Sequence, residues 1–402
     1  MIIGIDATML VYAGSGVANY TFNLIKNLLL IDKKNEYRLF YSSLRRPKNF
    51  YYLDSLRKLG AKVYAHRLPP TLLRLIWGRY NFFPIEFFIG KVDLFFSSDF
   101  LRPPTLSSTK GLTTIHDLTW KIFPEYHTQD VISAHRKKLI KTIRYGDEII
   151  VDSRSTRNDL QRLYPQIATS KIHVIYPGIS ESMKPINDKK KINSVVSTYL
   201  TNTLPNRKAD QPPSESEGNL PTNHQSLITN HYLLYVGAIE PRKNLDLCIR
   251  LFNDLIKDKQ FADFKFFIVG RAGWRKEKIF QLVKDLQLDD KVIFVGYVKD
   301  EDLPYFYSGA EMTFYLSSYE GFGLPPLESL ACGTPTVAGN NSSMRETLPK
   351  EFLVNIEDRG EVLKKIKKFI KFPPRIDSKK IINDFSWLKK ATEFLHLFES
   401  IK

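Results

Sequence analysis

Two glutamates bracket a short segment that is rich in glycine and proline, and their spacing suggests chemistry. Glu320 and Glu328 enclose the run Gly-Phe-Gly-Leu-Pro-Pro-Leu. The glycines interrupt regular structure, and a helix is predicted from Pro326, because proline is tolerated at the start of a helix. The free N–H groups and the dipole of such a helix start attract an anion. Carboxylates beside that anion site can accept hydrogen bonds from sugar hydroxyls. The segment therefore predicts a site for a nucleotide-sugar.

The same pair of carboxylates has a second interpretation. Glycoside hydrolases use two carboxylates about 5–10 Å apart, one on each side of the bond that breaks. Two acids around an anion-binding loop fit a nucleotide-sugar better, but the residues alone leave the hydrolase alternative open.

A second candidate cluster contains the cations that a diphosphate needs. Gly237 allows a tight turn after an apolar strand, and Arg242 and Lys243 follow at the start of a helix. Arginine can bridge two phosphate oxygens, whereas lysine acts as a point charge. Taken alone, the pair is equally consistent with a solvated basic helix start. Together with Glu320 and Glu328, it favours diphosphate binding.

Short apolar strands alternate with helices in two successive stretches of the chain. The predicted strands of the first stretch are 2–5, 37–41, 62–65, 94–97, 111–115, 148–151 and 172–175. Those of the second stretch are 232–236, 264–269, 292–295, 312–316 and 336–338. Apolar strands between helices are typical of a parallel sheet that is covered on both faces. The pattern predicts an α/β fold with two doubly wound units.

The composition along the chain gives the expected domain boundaries. Residues 1–180 form the first unit, and residues 231–375 form the second. Residues 185–230 are polar and rich in proline and serine, which predicts a flexible insertion or linker with one short helix near 195–200. Residues 376–402 are predicted to contain a closing helix.

The second half of the chain resembles the nucleotide-sugar-binding domain of the retaining glycosyltransferase family 4, which has the GT-B fold. The motifs are Gly237 with Pro-Arg-Lys-Asn at 241–244, Val-Gly at 269–270, Val-Gly-Tyr at 295–297, the segment 320–328, and Ala-Cys-Gly-Thr-Pro-Thr-Val at 331–337. The first half is more weakly similar. The resemblance implies two Rossmann-like doubly wound domains facing a cleft, with the last helix packing back on the first domain. Bacterial mannosyl and rhamnosyl transferases of surface polysaccharide biosynthesis are the most similar members.

The resemblance also implies roles for individual residues. Glu328 would accept the ribose hydroxyls, and Glu320 would contact the transferred sugar. Arg242 and Lys243 would neutralise the diphosphate as it leaves, and such stabilisation of developing charge is usually the largest catalytic contribution. Further backbone contacts to the sugar, the phosphate and the base are expected at Phe322, Gly323, Leu324, Tyr297 and Val298.

Two features of the first half are candidates on the other side of the site. His116 follows a strand, and the resemblance implies that it faces the donor sugar. The alternative is that Asp117 caps a helix beside a half-buried histidine. Gly14 and Gly16 lie at the first strand–helix junction, where they would approach the phosphates and the acceptor. Taken alone, a Gly-Ser-Gly run is more often just a turn.

The net charge of the chain indicates an anionic partner. The chain has 402 residues and a net charge of +16, from 59 Lys and Arg against 43 Asp and Glu. Such a charge fits a nucleotide, a lipid phosphate, an anionic membrane surface or a nucleic acid. The segment 71–83 mixes aromatic residues with arginine, which fits either membrane docking or a core-packing helix.

The expected cell compartment is the cytoplasm, with the protein peripheral at the inner membrane face. The two cysteines, Cys248 and Cys332, are too few for a disulfide framework. Both are expected to be buried free thiols, which fits a reducing environment. The chain has no run of about 20 uninterrupted apolar residues, so no transmembrane helix is predicted, and its start does not resemble a signal peptide.

The reaction expected from these observations is transfer of a hexose from a nucleoside diphosphate sugar to a glycan or lipid-linked acceptor. No Asp-x-Asp motif follows a strand, so no metal or other cofactor is expected. A nucleotide-sugar epimerase, a glycan phosphorylase, a nucleic-acid-binding protein and a non-catalytic partner are the alternatives. The donor base and sugar, the acceptor, the linkage, the oligomeric state and the nucleophile stay open.

Overall fold

The computed structural model describes residues 1–12, 14–44, 50–98, 101–200, 231–271 and 276–401. The chain forms two compact units. The first combines Met1–Ser180 with Phe385–Lys402, and the second is Glu181–Asp384.

The first unit is built on a seven-stranded parallel sheet in the order β3-β2-β1-β4-β5-β6-β7. Its strands are β1 (Ile2–Asp6), β2 (Glu36–Ser42), β3 (Lys62–His66), β4 (Leu94–Ser97), β5 (Lys110–Ile115), β6 (Glu148–Val151) and β7 (Ile172–Val174). Its helices are α1 (Gly16–Ile31), α2 (Tyr51–Lys58), α3 (Pro70–Leu75), α4 (Glu86–Ile89), α5 (Thr119–Ile122), α6 (Gln129–Tyr145), α7 (Arg154–Leu163) and α16 (Trp387–Ile401). A π-helical turn, Ile76–Tyr80, continues α3.

The second unit is built on a six-stranded parallel sheet in the order β10-β9-β8-β11-β12-β13. Its strands are β8 (Tyr232–Val236), β9 (Lys265–Val269), β10 (Val292–Gly296), β11 (Met312–Tyr315), β12 (Thr336–Gly339) and β13 (Leu353–Val354). Its helices are α8 (Lys189–Leu200), α9 (Leu245–Ile256), α10 (Lys276–Asp285), α11 (Leu303–Gly309), α12 (Leu324–Ala331), α13 (Met344–Thr347), α14 (Arg359–Lys371) and α15 (Ser378–Asp384).

Apolar periodicity accounts for the core of each unit. In α1, Leu24, Ile25 and Leu28 are fully buried against the first sheet, as residues three to four positions apart share one face of a helix. The Ser15 hydroxyl accepts a hydrogen bond from the Ala18 amide at 3.2 Å and so caps the start of α1. The strands β4 and β11 are buried along their whole length, as expected for a sheet covered on both faces.

The structure differs from the sequence interpretation at the boundaries of the second unit. The predicted linker begins with α8, which is twice as long as the short helix expected there and buries Val196 and Tyr199 in the second unit. The rest of that linker, 201–230, lies outside the described residues. The predicted closing segment also begins too early, because α15 belongs to the second unit. There the Ser378 hydroxyl donates to the Leu330 carbonyl at 2.8 Å.

The described helices include none that is both long enough and apolar enough to span a bilayer. Cys248 and Cys332 are buried free thiols, as predicted.

Candidate active site

The strand order of the second sheet creates a crevice at one place. Strands β8 and β11 are neighbours in the sheet but not in sequence. After β8 the strand order runs outward on one side, and after β11 it runs outward on the other side. In such sheets ligands bind outside the carboxyl ends of the strands at this reversal. Arg242 and Lys243 come from the loop after β8, and Glu320 comes from the loop after β11. The two predicted motifs therefore meet at the ligand-binding edge.

A single carboxylate joins the two cations. The Lys243 ammonium donates to Glu320 Oε1 at 2.5 Å, and Arg242 Nη1 donates to Glu320 Oε2 at 2.8 Å. Lys243 also donates to the Tyr315 hydroxyl at 2.8 Å. Glu320 is 5% exposed and Lys243 is 8% exposed, so this cluster is shielded from water. Arg242 Nε also donates to Glu240 Oε2 at 3.0 Å, so two carboxylates hold the two cations in place.

The electrostatics of the cluster follow from burial and pairing. Burial by itself would raise the pKa of Glu320, but the adjacent Arg242 and Lys243 outweigh it and lower that pKa to about 2. Burial, followed by the charge of Arg242, lowers the pKa of Lys243, while Glu320 acts against this shift. Glu320 is therefore ionised at neutral pH, and it holds both cations in place.

The loop that carries Glu320 is fixed by two serines. The Glu320 amide donates to the Ser342 hydroxyl at 2.9 Å, and the Ser343 hydroxyl donates to the Glu320 and Phe322 carbonyls at 3.0 and 2.8 Å. The Phe322 side chain is buried. Glu320 therefore starts from a defined backbone position.

The helix after this loop begins two residues earlier than predicted. Gly323 precedes it with a left-handed backbone (φ 86°), and α12 starts at Leu324, so Pro325 and Pro326 occupy its first turn. Because proline has no N–H, the amides of Gly323 and Leu324 are the donors that this turn can offer to an anion.

Glu328 lies on α12, and its side chain hydrogen-bonds to a tyrosine and not to the cations that Glu320 binds. The Tyr307 hydroxyl of α11 donates to Glu328 Oε2 at 2.8 Å. Burial raises the pKa of Glu328 to about 7, and the hydrogen bond from Tyr307 opposes this rise. The two glutamates therefore have opposite pKa shifts.

The remaining predicted residues of the second unit follow neighbouring strands. Gly237 directly follows β8 and donates its amide to the Val269 carbonyl at 2.9 Å. A side chain at Gly270 would collide with the Gly237 carbonyl, which explains the glycine of that motif. Tyr297 follows β10, and the Arg271 guanidinium lies 5.1 Å from its ring centroid. The Val298 side chain is buried, so its backbone is the part that could meet a base.

His116 occupies the carboxyl edge of the first sheet. Its Nδ1 lies 2.7 Å from Asp152 Oδ2, and its Nε2 lies 3.1 Å from the Ser98 carbonyl. Both neighbours are acceptors, so this arrangement suits a ring protonated on both nitrogens. Burial raises the pKa of Asp152, and the charge of His116 opposes that rise. Asp117 accepts from the Thr119 amide at 2.9 Å, but the residue that caps α5 is Leu118, whose side chain makes no capping hydrogen bond, so Asp117 is not the cap itself.

Gly14 and Gly16 lie at the start of α1 in the same unit. Gly14 has a left-handed backbone (φ 76°), which favours glycine. Gly16 has no such need, and a side chain there would meet nothing within 4 Å. The space beside the first turn of α1 is therefore open.

The sequence analysis missed several residues of these sites, namely Tyr307, Tyr315, Ser342, Ser343 and Asp152. A tyrosine near the end of a buried element needs a partner for its hydroxyl, and that signal could have identified Tyr307 and Tyr315. Asp152 follows β6 as His116 follows β5, and adjacent parallel strands bring their carboxyl ends together. The two serines carry no comparable signal.

Comparison with known families decides between the enzyme classes that the sequence left open. Residues 222–383 match the family model described as glycosyl transferases group 1, and residues 14–182 match the model described as glycosyltransferase family 4. The chain belongs to the GT-B glycosyltransferases. It is therefore an enzyme, and the comparisons give no support to a hydrolase, an epimerase or a phosphorylase.

Relatives of this glycosyltransferase cover most of its length. The O-antigen chain mannosyltransferase B of Escherichia coli is 27% identical over 351 residues, which are 85% of this chain and 83% of that relative. The O-antigen chain mannosyltransferase RfbU of Salmonella typhimurium is 25% identical over 280 residues, 68% of this chain and 77% of that relative.

Solved structures confirm the fold of this glycosyltransferase. The sucrose-phosphate synthase of Thermosynechococcus elongatus has a TM-score of 0.70 at 18% identity, covering 100% of this chain and 99% of that one. HepE of Anabaena, solved with UDP and glucose, has a TM-score of 0.68 at 14% identity, with 100% of both chains covered. The predicted GT-B fold with two doubly wound α/β domains is thus confirmed. Glycosyltransferases take nucleotide-sugar donors and glycan acceptors, as predicted for the partners of this chain.

Proposed function

We propose that this glycosyltransferase transfers mannose from a nucleoside diphosphate sugar to a glycan or lipid-linked oligosaccharide during assembly of a cell-surface polysaccharide. Hexosyltransferase activity follows from the family and from the mannosyltransferase relatives. Mannose and the polysaccharide are supported by the names of the O-antigen relatives from two bacteria. GDP-mannose is the donor we expect.

The observation that carries the proposal is the buried cluster in which Glu320 joins Arg242 and Lys243. Its two cations lie at the crevice edge of the sheet, where they would meet the diphosphate of the donor. As the glycosidic bond breaks, negative charge grows on the leaving diphosphate, and cations already held in position stabilise it without rearranging. Glu328 would accept the ribose hydroxyls, and the amides of Gly323 and Leu324 would meet the sugar and phosphate. His116 would face the transferred sugar, and transfer would retain the anomeric configuration.

Transfer would be independent of metal, because Arg242 and Lys243 supply the positive charge that a divalent ion supplies elsewhere. EDTA should leave the rate of transfer unchanged. A loss that Mg²⁺ or Mn²⁺ restores would contradict this part of the proposal.

The enzyme would work in the cytoplasm, peripheral to the inner face of the membrane. The buried free thiols Cys248 and Cys332 suit a reducing compartment. A lipid-linked acceptor would also bring the enzyme to the membrane surface.

A thermal-shift panel of nucleoside diphosphate sugars, followed by transfer assays, tests the function. GDP-mannose should raise the melting temperature, since a ligand that binds the native state stabilises it. Lys243→Ala should lower transfer by about 100-fold or more, as for the loss of one transition-state donor. Lys257→Ala, at a lysine that is 68% exposed, is the matched control. Unchanged transfer in both Lys243→Ala and Glu328→Ala would contradict the proposed site.

A further inference from the structure

A group of exposed aromatic side chains lies on the segment after the π-helical turn and on α4 of the first unit. Phe82, Phe83 and Phe87 are 64%, 50% and 74% exposed. The ring centroids of Phe82 and Phe83 are 6.5 Å apart, and those of Phe83 and Phe87 are 5.4 Å apart. We call these three residues the aromatic cluster. A contiguous exposed apolar group of this kind marks an interaction site.

The backbone holds the aromatic cluster outward. Asn81 and Phe83 have left-handed backbones (φ 56° and 55°), which is rare for a bulky residue such as phenylalanine. Trp77 Nε1 donates to the Phe83 carbonyl at 2.9 Å, and the Phe82 amide donates to the Ile76 carbonyl at 3.1 Å. Unfavourable conformations persist where the surrounding structure enforces them, and they are concentrated at functional sites.

Hydrogen bonds join this turn to helix α6, which carries basic residues on its surface. Lys141 donates to the Trp77 carbonyl and, at 2.9 Å, to Asn81 Oδ1. Asn81 Nδ2 donates to the Tyr145 hydroxyl at 2.7 Å. The outer face of α6 exposes Arg136, Lys137, Ile140 and Arg144. Positive charge therefore flanks the aromatic cluster at a fixed position.

A cavity of about 130 Å³ lies between the π-helical turn and α6. Its lining includes the cations Arg74, Lys137 and Lys141, together with the buried Arg102 and Lys138. Arg102 is paired with the buried Asp147 through two contacts of 2.7 Å, and the Lys138 ammonium donates to a backbone carbonyl at 2.6 Å. The acid of the lining is Asp130. Burial, followed by the neighbouring cations, lowers the pKa of Lys141 to about 8. Arg74 and Lys137 are the exposed cations of the lining, so these two could meet an anion at the cavity.

We propose that the aromatic cluster and the basic cavity together form a docking surface for an anionic lipid membrane. Aromatic rings beside cations are the composition that binds at the boundary between headgroups and acyl chains. In this arrangement the rings of Phe82 and Phe87 enter the bilayer interface, and the cations of the cavity contact lipid phosphates. The inference deepens the proposed function and rests on it in one respect, namely that a lipid-linked acceptor is presented at this surface.

Co-sedimentation of the full chain with vesicles tests the docking surface. The protein should bind vesicles of phosphatidylglycerol and phosphatidylcholine, bind pure phosphatidylcholine far less, and be released by salt, which screens exposed charges. The double variant Phe82→Ser/Phe87→Ser should lower the apparent vesicle affinity by about tenfold or more. Phe372→Ser is the matched control, since Phe372 is 72% exposed, lies beside lysines in the other unit, and should bind like the wild type.

A charge reversal tests the cationic part separately. Lys137→Glu should weaken binding to the anionic vesicles, whereas Lys34→Glu, at another exposed lysine of the first unit, should not. Three results would overturn the proposal. The first is that the double variant binds vesicles as tightly as the wild type. The second is that millimolar inorganic phosphate abolishes vesicle binding completely. The third is that the wild type does not bind vesicles but forms a dimer, which the double variant disrupts.

A nucleotide-sugar measurement separates this inference from the proposed function. Donor-induced thermal shifts should be the same in the wild type, the double variant and Lys137→Glu, because the donor cluster lies in the second unit. Absence of any donor shift in the wild type would count against the proposed function and would leave the vesicle result standing.

Discussion

At Glu320, one buried carboxylate accepts hydrogen bonds from two cations that are 77 and 78 positions away in sequence. The residue types predicted a diphosphate site, with Glu320 touching the sugar and the cations touching the phosphates. That division of roles stays a prediction. The structure adds that Glu320 also orients both cations, and that Arg242 donates in addition to Glu240.

Glu320→Gln should lower the free energy of unfolding by about 3 kcal/mol, because it leaves Lys243 buried beside Arg242 without its anion. Urea denaturation measures the loss. The matched control is Glu301→Gln, because Glu301 is 76% exposed in a loose pair with Lys299 and should change little. Equal losses of unfolding free energy in the two variants would show that the pairing in the cluster does not stabilise the fold.

The pKa of Glu320 also predicts how acid affects stability. It is lowered from 4.5 to about 2, so its stabilising contribution is complete above about pH 4.5 and is lost as the pH falls towards 2. The Glu320→Gln variant should lose less stability than the wild type over that interval. Identical acid profiles in denaturation experiments would contradict the lowered pKa.

Glu328 should make donor binding depend on pH near neutrality. Its pKa is raised from 4.5 to about 7, so its charge appears as the pH rises through 7. If the carboxylate accepts ribose hydroxyls, donor affinity should increase over that range, and Glu328→Gln should abolish the increase. Calorimetry at several pH values measures it. The same shift predicts that wild-type stability falls between pH 4.5 and 7, where the unfolded chain releases its proton first.

Two glycines, each at the start of a helix, allow a matched test of where the helix start requires glycine. At Gly323 the backbone is left-handed and an added methyl group would lie 3.2 Å from the Met344 sulfur, so Gly323→Ala should cost about 1 kcal/mol or more of stability and lower activity. At Gly16 the space is open, so Gly16→Ala should leave stability unchanged. A raised KM in Gly16→Ala would then show that a substrate occupies this space. An unchanged KM would place the substrate elsewhere.

Element positions were largely predictable from sequence, because buried parallel strands are continuous apolar runs. Every strand predicted in the two stretches is present in the structure. The two-residue strand β13, Leu353–Val354, was not predicted, because so short a run has no periodicity to detect. The true start of α12 was also missed, because its two prolines fit either a loop or a first helical turn.

At the scale of the molecule, the chain returns to its first unit at its end. Helix α16 buries Trp387, Phe394 and Phe398 in the core that β1 and α1 began. The indole of Trp387 packs edge-on against Tyr20 at 5.4 Å, and Gly178 lies against it because a side chain there would collide. The final helix is therefore a structural part of the first unit.

Trp387→Ala should lower the free energy of unfolding by about 3–5 kcal/mol, as for a large aromatic side chain removed from a core. Leu388→Ala, at the next residue, is the control, because Leu388 is 49% exposed and should have a small effect. Thermal and urea denaturation distinguish the two variants. Similar stabilities would contradict the placement of α16 in the core.

The sequence by itself determined the α/β class, most of the strands and the residue types of the proposed donor site. Local apolar patterns and short motifs carry that information, and both can be recognised within a few neighbouring residues. Only the tertiary structure decided that Glu320 pairs with Arg242 and Lys243, that Tyr307 holds Glu328, and that the end of the chain belongs to its first unit. These are contacts between residues far apart in the chain, and their burial sets the pKa values of both glutamates. Sequence spacing shows neither the contacts nor the burial.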